Sequence, residues 1–196
     1  MAIKAVIFDL DGTITEPFLD FDLIRHEIGL SPEAGTLLEA MAKMTPPERR
    51  RAMDIVERHE QKAVEESTLN VGAKPMLDKL RANGIKIGIL TRNRRSNAIA
   101  IAEKHGLEFD AIFDREDGPV KPDAFGSYRL CGFFNATPSE TLVVGDYLYD
   151  ILAARAAGAI AVLLKNHPKA DEFAKHADFA IAKLGEILEI IDSFGQ

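Results

Sequence analysis

Asp9 and Asp11 stand on either side of Leu10, directly after the apolar run Ile3, Ala5, Val6, Ile7, Phe8 and directly before Gly12 and Thr13. Two carboxylates fixed at the end of buried backbone make a partly dry anionic site. Such a site is costly unless a cation or a proton compensates it. Other apolar runs are followed by groups that would complete it: Thr91 with Arg92 and Asn93, Lys121 before Pro122, and Asp146 with Asp150. A hard divalent cation prefers oxygen ligands, and magnesium accepts one or two carboxylates together with a substrate phosphate. Asp9 and Asp146 meet that count. Asp9 is then expected to act as a nucleophile toward a phosphoryl group neutralised by magnesium on one side and by Lys121 on the other. Thr91, with Arg92 and Asn93 beside it, is expected to hold the remaining phosphate oxygens. Asp11, kept protonated by its carboxylate neighbour, would give a proton to the leaving group and later take one from water.

The elements that must position these residues alternate. Short runs rich in Ile, Val and Phe recur at 3–8, 85–90, 111–113, 142–144 and 159–164, separated by helical patterns at 73–82, 96–105, 123–132 and 149–157. Strand then helix, repeated, predicts an α/β fold with a parallel sheet sandwiched by helices. Ligands of such sheets collect at the carboxyl ends of the strands, where the candidate residues stand. From about Thr15 to Val71 the alternation stops, leaving helical pattern broken at Gly29 to Pro32 and at Thr45 to Pro47. This predicts a small all-helical cap of two or three helices inserted after the first strand. Its edges are the turn-prone Glu16-Pro17 and Asn70-Val71-Gly72. The expected division is a core of residues 1–15 and 72–196 and a cap of residues 16–71, joined through two adjacent strands of chain.

The 196 residues suffice for one domain with a modest insertion. With 31 acidic against 24 basic residues and a net charge of -7, general nucleic-acid or acidic-membrane binding is disfavoured. The longest apolar stretch, Ala156 to Leu164, is nine residues, under half of the roughly 20 that span a bilayer. The start of the chain lacks the pattern of a secretion signal, so a cytoplasmic location is expected. Cys131 is the single cysteine, which excludes an internal disulfide; its neighbours Leu130, Phe133 and Phe134 mark it as a core residue. The charges from Glu48 through Arg49, Arg50 and Arg51 to Glu57 and Arg58 read as a solvated helix face. His26 and His59 have no partner at metal-ligand spacing on their helices. No Gly-x-Gly-x-x-Gly follows any strand, which removes dinucleotide binding.

Four motifs in order resemble those of the haloacid dehalogenase-like hydrolase superfamily: Phe8-Asp9-Leu10-Asp11-Gly12-Thr13, Leu90-Thr91-Arg92-Asn93, Lys121-Pro122-Asp123, and Gly145-Asp146-Tyr147-Leu148-Tyr149-Asp150. The resemblance implies a Rossmann-like core, magnesium, and a phosphoaspartate on Asp9. It further implies that the Asp11 backbone carbonyl and the Asp146 side chain bind the metal while Asp150 supports them. The helical insertion resembles the caps of the phosphoglycolate phosphatase and beta-phosphoglucomutase branch. Haloacid dehalogenases themselves lack the second aspartate, so Asp11 argues for phosphoryl chemistry. Tyr147 stands where Ser or Thr is common, and Ala124 where a second proline is. The segment Gly29 to Leu37, the expected specificity loop, holds no Lys or Arg. The first expectation is a magnesium-dependent phosphatase acting on a small phosphorylated metabolite. A sugar-phosphate mutase is the alternative, and a non-catalytic phosphate-sensing module a second. Oligomeric state has no signal in the sequence.

Overall fold

β-branched and aromatic residues favour a pleated, packed backbone, and in the computed structural model the run beginning at Ile3 forms strand β1 (Ala5–Phe8), all of it buried. The structure describes residues 2–31 and 33–195. After β1 come α1 (Phe21–Ile28), α2 (Leu37–Met41), α3 (Pro46–Glu66), α4 (Ala73–Ala82), β2 (Lys86–Leu90), α5 (Arg95–His105) and β3 (Ala111–Phe113). The chain continues with α6 (Phe125–Phe133), β4 (Thr141–Gly145), α7 (Leu148–Ala157), β5 (Ile160–Leu164), α8 (Ala170–Phe173), β6 (Phe179–Ile181) and α9 (Glu186–Phe194). The strands form one parallel six-stranded sheet in the order β3-β2-β1-β4-β5-β6. The α/β class, the parallel sheet and the helical insertion between β1 and β2 are as expected.

β6 and the two helices around it lie outside the expected elements. β6 is a three-residue edge strand whose burial runs from half-buried Phe179 through exposed Ala180 to buried Ile181. So short an element at a sheet edge has too little apolar pattern to stand out.

The chain winds outward from β1 to β3, crosses back to β4 beside β1, and winds to the other edge. This reversal opens a crevice at the carboxyl ends of β1 and β4. Phe8 lies opposite Val144, and the Asp9 N–H donates to the Val144 carbonyl at 2.8 Å, carrying the ladder one residue past β1. Ala5, Ile7, Val143 and Leu163 pack with Leu130 and Cys131 of α6, Ile151 and Ala154 of α7, and Phe173 of α8. Val6, Phe8, Leu142 and Val144 point to the opposite face and are equally buried. Coverage of both faces is why these strands read as unbroken apolar runs. Each fully buried Leu, Ile or Phe contributes about 1.5–3 kcal/mol. Cys131 is a core residue as expected; burial pushes its thiol up, and it lies 3.5 Å from the Thr141 hydroxyl.

The insertion has its own small core of Ile24, Leu37, Met41, Ala52 and Val56. Asp20 caps α1 by accepting from the Leu23 N–H at 2.9 Å, and Gly29 ends it in the left-handed region at φ 81°. The break expected at Gly29 falls there, while Pro32 lies outside the described residues. The break at Thr45 to Pro47 is the start of α3, where Thr45 and Glu48 form a capping box and Pro46 occupies the first turn. Arg49, Arg50 and Arg51 are exposed, as a solvated face requires. Glu27 of α1 accepts from Arg58 at 2.8 Å and lies 3.3 Å from His59, tying α3 to α1.

The chain compacts into two units, Met1–Pro17 with Thr68–Gln196, and Phe18–Ser67. At the base of the first unit the outgoing and returning segments lie side by side. Thr15 and Leu69 form an antiparallel bridge, the Glu16 N–H donates to Thr68 at 2.9 Å, and the Asn70 N–H to Ile14 at 3.0 Å. The Asn70 amide donates to the carbonyls of Gly12, Thr13 and Thr15 at 3.1, 2.8 and 3.0 Å. Asn166, beyond β5, donates to the Gly12 carbonyl at 2.8 Å. Backbone carbonyls in a partly buried turn need such donors. Replacing Asn70 by Leu should therefore lower stability by about 1–3 kcal/mol, read as a lower urea midpoint at unchanged slope.

Candidate active site

Lys121 is 4% exposed, and a buried ammonium persists only when paired. Its Nζ donates to Asp9 Oδ1 and to Asp150 Oδ1, each at 2.6 Å. Asp146 stands with them: one carboxylate oxygen from each of Asp9, Asp146 and Asp150 lies within 4.8 Å of the others. β1 delivers Asp9, β4 delivers Asp146, the first turn of α7 delivers Asp150, and the loop before α6 delivers Lys121.

Two glycines make this approach possible. A Cβ on Gly12, which has φ +87°, would sit 2.4 Å from Asp146 Oδ2, and a Cβ on Gly145 would sit 2.2 Å from Asp150 Cγ. Only glycine lets the backbone pass so close. Asp150 is held from both ends, because its Oδ2 accepts from the Tyr147 N–H at 3.0 Å while Oδ1 faces Lys121. It thus caps α7 as well as serving the cluster. Thr13 Oγ1 lies 3.5 Å from Asp146 Oδ1.

The electrostatics show what the cluster lacks. Burial pushes the Asp9 carboxyl up to about 7 against the pull of Lys121, and the charges of Asp150 and Asp11 add to the rise. Burial, then Asp9 and Asp150, push Asp146 up to about 8. Asp150 and Asp9 hold Lys121 above its ordinary range in spite of burial, so it stays charged. Three carboxylates around one ammonium leave an excess of negative charge on hard oxygen donors, which fits a divalent cation. The acidic cluster is thus suited to a metal: Asp9 engages Lys121 through Oδ1, whereas Asp150 gives one oxygen to Lys121 and the other to the Tyr147 N–H.

Asp11 reaches the cluster less directly. Its Oδ2 accepts from the Asn93 amide at 3.1 Å; burial raises its carboxyl most, the repulsion it shares with Asp9 acts in the same direction, and Asn93, Lys121 and Arg115 pull it back. Thr91 is buried at the end of β2, where its N–H donates to Phe113 at 3.0 Å and its hydroxyl accepts from the Asn93 N–H at 3.0 Å. The Arg92 guanidinium donates to the Lys121 carbonyl at 3.2 Å and lies 5.2 Å from the centre of the Tyr149 ring. Asp123 accepts from the Phe125 N–H at 2.8 Å at the start of α6. Asn70, Asn166 and Asn97 are contributors that the sequence alone does not single out. Asn166 follows a strand end and has that signal, whereas Asn70 reads only as a turn residue and Asn97 only as part of a helix.

Raised carboxyl groups make the metal-free fold sensitive to alkali. Asp9 and Asp146 titrate near their ordinary value of 3.8 when unfolded and near 7 and 8 when folded without metal. Their contribution to stability is fully present below about pH 4 and is lost as pH rises through the folded values. Magnesium competes with the same protons, so it should raise Tm more at pH 8 than at pH 5.5. Asp146→Asn should raise the Tm of the metal-free protein at pH 8 and remove most of the magnesium-induced shift. Scanning calorimetry at the two pH values, with and without magnesium, checks both.

Residues 3–158 match the haloacid dehalogenase-like hydrolase family. The uncharacterised hydrolase YOR131C of Saccharomyces cerevisiae is 32% identical over 204 residues, covering 99% of this chain and 93% of that protein. Phosphoglycolate phosphatase of Chromobacterium violaceum is 26% identical over 215 residues, covering 96% of each. Among solved structures, beta-phosphoglucomutase of Clostridium difficile aligns over 98% of each chain at 21% identity with a TM-score of 0.79, a likeness of fold. Matched by the family over most of its length and by the yeast relative over nearly all of it, the chain belongs to the haloacid dehalogenase-like hydrolases, as an enzyme of their phosphatase kind.

Proposed function

We propose that this enzyme is a magnesium-dependent phosphatase that hydrolyses a small phosphorylated metabolite through an aspartyl-phosphate on Asp9. The observation that carries the reading is the Lys121 ammonium shared at 2.6 Å by Asp9 and Asp150. A carboxylate nucleophile meeting a phosphoryl group needs a fixed positive charge beside it, because otherwise both partners are anions. Magnesium, held by Asp9 and Asp146 with the Asp11 carbonyl and Asp150 in support, supplies further neutralisation of the phosphoryl oxygens when bound.

In the first half-reaction an Asp9 oxygen bonds to phosphorus, the bond from phosphorus to the leaving oxygen breaks, and the proton of Asp11 passes to that oxygen. In the second, Asp11 takes a proton from water, the water oxygen bonds to phosphorus, and the acyl phosphate bond breaks to free Asp9 and inorganic phosphate. Burial of Asp11 favours its protonated form, which suits the first role. Lys121 remains charged throughout and, with Thr91 and the neighbouring Arg92 and Asn93 segment, holds the transferred group. Support for hydrolysis comes from the phosphoglycolate phosphatase relative, which makes 2-phosphoglycolate the first substrate to try.

A panel of phosphorylated metabolites, with and without magnesium, tests the reading by phosphate release; formation of an isomer from a sugar phosphate without such release would favour the mutase instead. Asp9→Asn should abolish turnover, and equal activity in this variant and the wild type would remove the mechanism. Asp11→Asn should cripple turnover while leaving the magnesium affinity measured by titration calorimetry largely intact. Lys121→Ala should lower kcat by about 10²-fold or more.

A further inference from the structure

Asn93 and Asn97 are each 4% exposed, and two buried primary amides so close together must satisfy one another. The Asn93 Oδ1 accepts from the Arg94 N–H and from the Asn97 Nδ2, both at 2.8 Å. Its Nδ2 donates to Asp11 Oδ2 at 3.1 Å. The two ends of an amide are nearly identical in shape, so hydrogen-bond partners alone decide which way it faces. Two donors converging on one end leave a single satisfied orientation, with the amino group toward Asp11.

We propose that Asn97 is a positioning residue: by donating to the Asn93 oxygen alongside the Arg94 N–H it doubles the hold on which end of that amide meets Asp11, and so on which Asp11 oxygen is left for the substrate. The proposal rests on the reading of Asp11 as acid and base. With an N–H seated on Oδ2, that oxygen serves Asn93 as an acceptor and a proton on Asp11 resides on Oδ1. Turned round, Asn93 would present its carbonyl to Oδ2 and draw the proton there, away from the leaving group. It would also set its own amino group against two donors. Asn97 needs no contact with substrate to exert this control. Its position in the first turn of α5, with its N–H donating to the Arg94 carbonyl at 3.1 Å, ties it to the helix that follows β2.

Departure of phenolate needs a proton more than departure of p-nitrophenolate does. The test is therefore the ratio of kcat/KM for phenyl phosphate to that for p-nitrophenyl phosphate, with magnesium, in wild type, Asp11→Asn, Asn97→Leu and Asn97→Asp. Partial unfolding lowers both rates alike and leaves the ratio unchanged. Asp11→Asn should depress the ratio most, and Asn97→Leu by about 10-fold, part of what a general acid contributes. Asn97→Asp offers an acceptor in place of the donor, so it should draw the Asn93 amino group toward itself against the hold of the Arg94 N–H and depress the ratio further than Asn97→Leu. Unchanged ratios in the Asn97 variants beside a depressed one in Asp11→Asn would overturn the positioning role alone. An unchanged ratio in Asp11→Asn would overturn the acid-base reading and the proposal with it. Should Asn97→Leu and Asn97→Asp fail to fold, Asn97→Ala, which removes the donor without adding bulk or charge, takes their place, a depressed ratio supporting the proposal and an unchanged one overturning it.

Discussion

Three carboxylates and one ammonium share a crevice from which most water is excluded, and the rest of the molecule is arranged to hold them there. An isolated buried carboxylate loses its charge or its place, since desolvation costs several kcal/mol per ion even after relaxation. Here the sheet leaves the groups no route of escape. Asp9 is pinned by a ladder bond from its own N–H to Val144, and Asp150 by its cap on α7. Gly12 and Gly145 remove the side chains that would keep the backbone at a distance. The remaining negative charge is therefore structural, and it is what makes the site receptive to a cation.

Much of this is legible in the sequence because a parallel sheet turns sequence order into spatial order. Every strand in it ends on the same edge, so a residue directly after an apolar run has its place decided by topology. Asp9, Thr91 and Asp146 can be read for that reason. Lys121 reads as one more residue after an apolar run, yet it lies well beyond the end of β3 in the loop before α6, so that loop rather than a strand end decides its place. Asn166 obeys the strand-end rule but lacks a charge to mark it, and its value lies in a carbonyl, that of Gly12, which no sequence pattern displays. Asn97 sits within a helix, and its meaning depends on an amide four residues earlier whose orientation exists only in the folded chain.

Asp11 adds burial to what the sequence suggests. Two carboxylates separated by one residue suggest mutual repulsion as the cause of a raised pKa at Asp11. In the fold burial is the largest cause at both Asp9 and Asp11, and the repulsion between the two, which acts on each alike, comes on top of it. Residues two apart in a strand share a face, but Asp11 has already passed the strand end and turned toward Asn93. The partner each group finds then offsets part of the rise, Asn93 at Asp11 and Lys121 at Asp9.

The two departures from the family pattern follow from the same geometry. Tyr147 replaces a small hydroxyl residue directly after Asp146, yet the contact the cluster uses at this position is its backbone N–H, which any residue except proline supplies. Its ring packs edge-on against Tyr149, His167 and Phe173 at 5.4, 5.3 and 5.2 Å. Ala124 likewise stands where proline is common, and there Asp123 accepts from the Phe125 N–H across it. At both places the structure depends on main-chain groups that survive substitution, so side-chain identity can drift while the charged cluster stays in place.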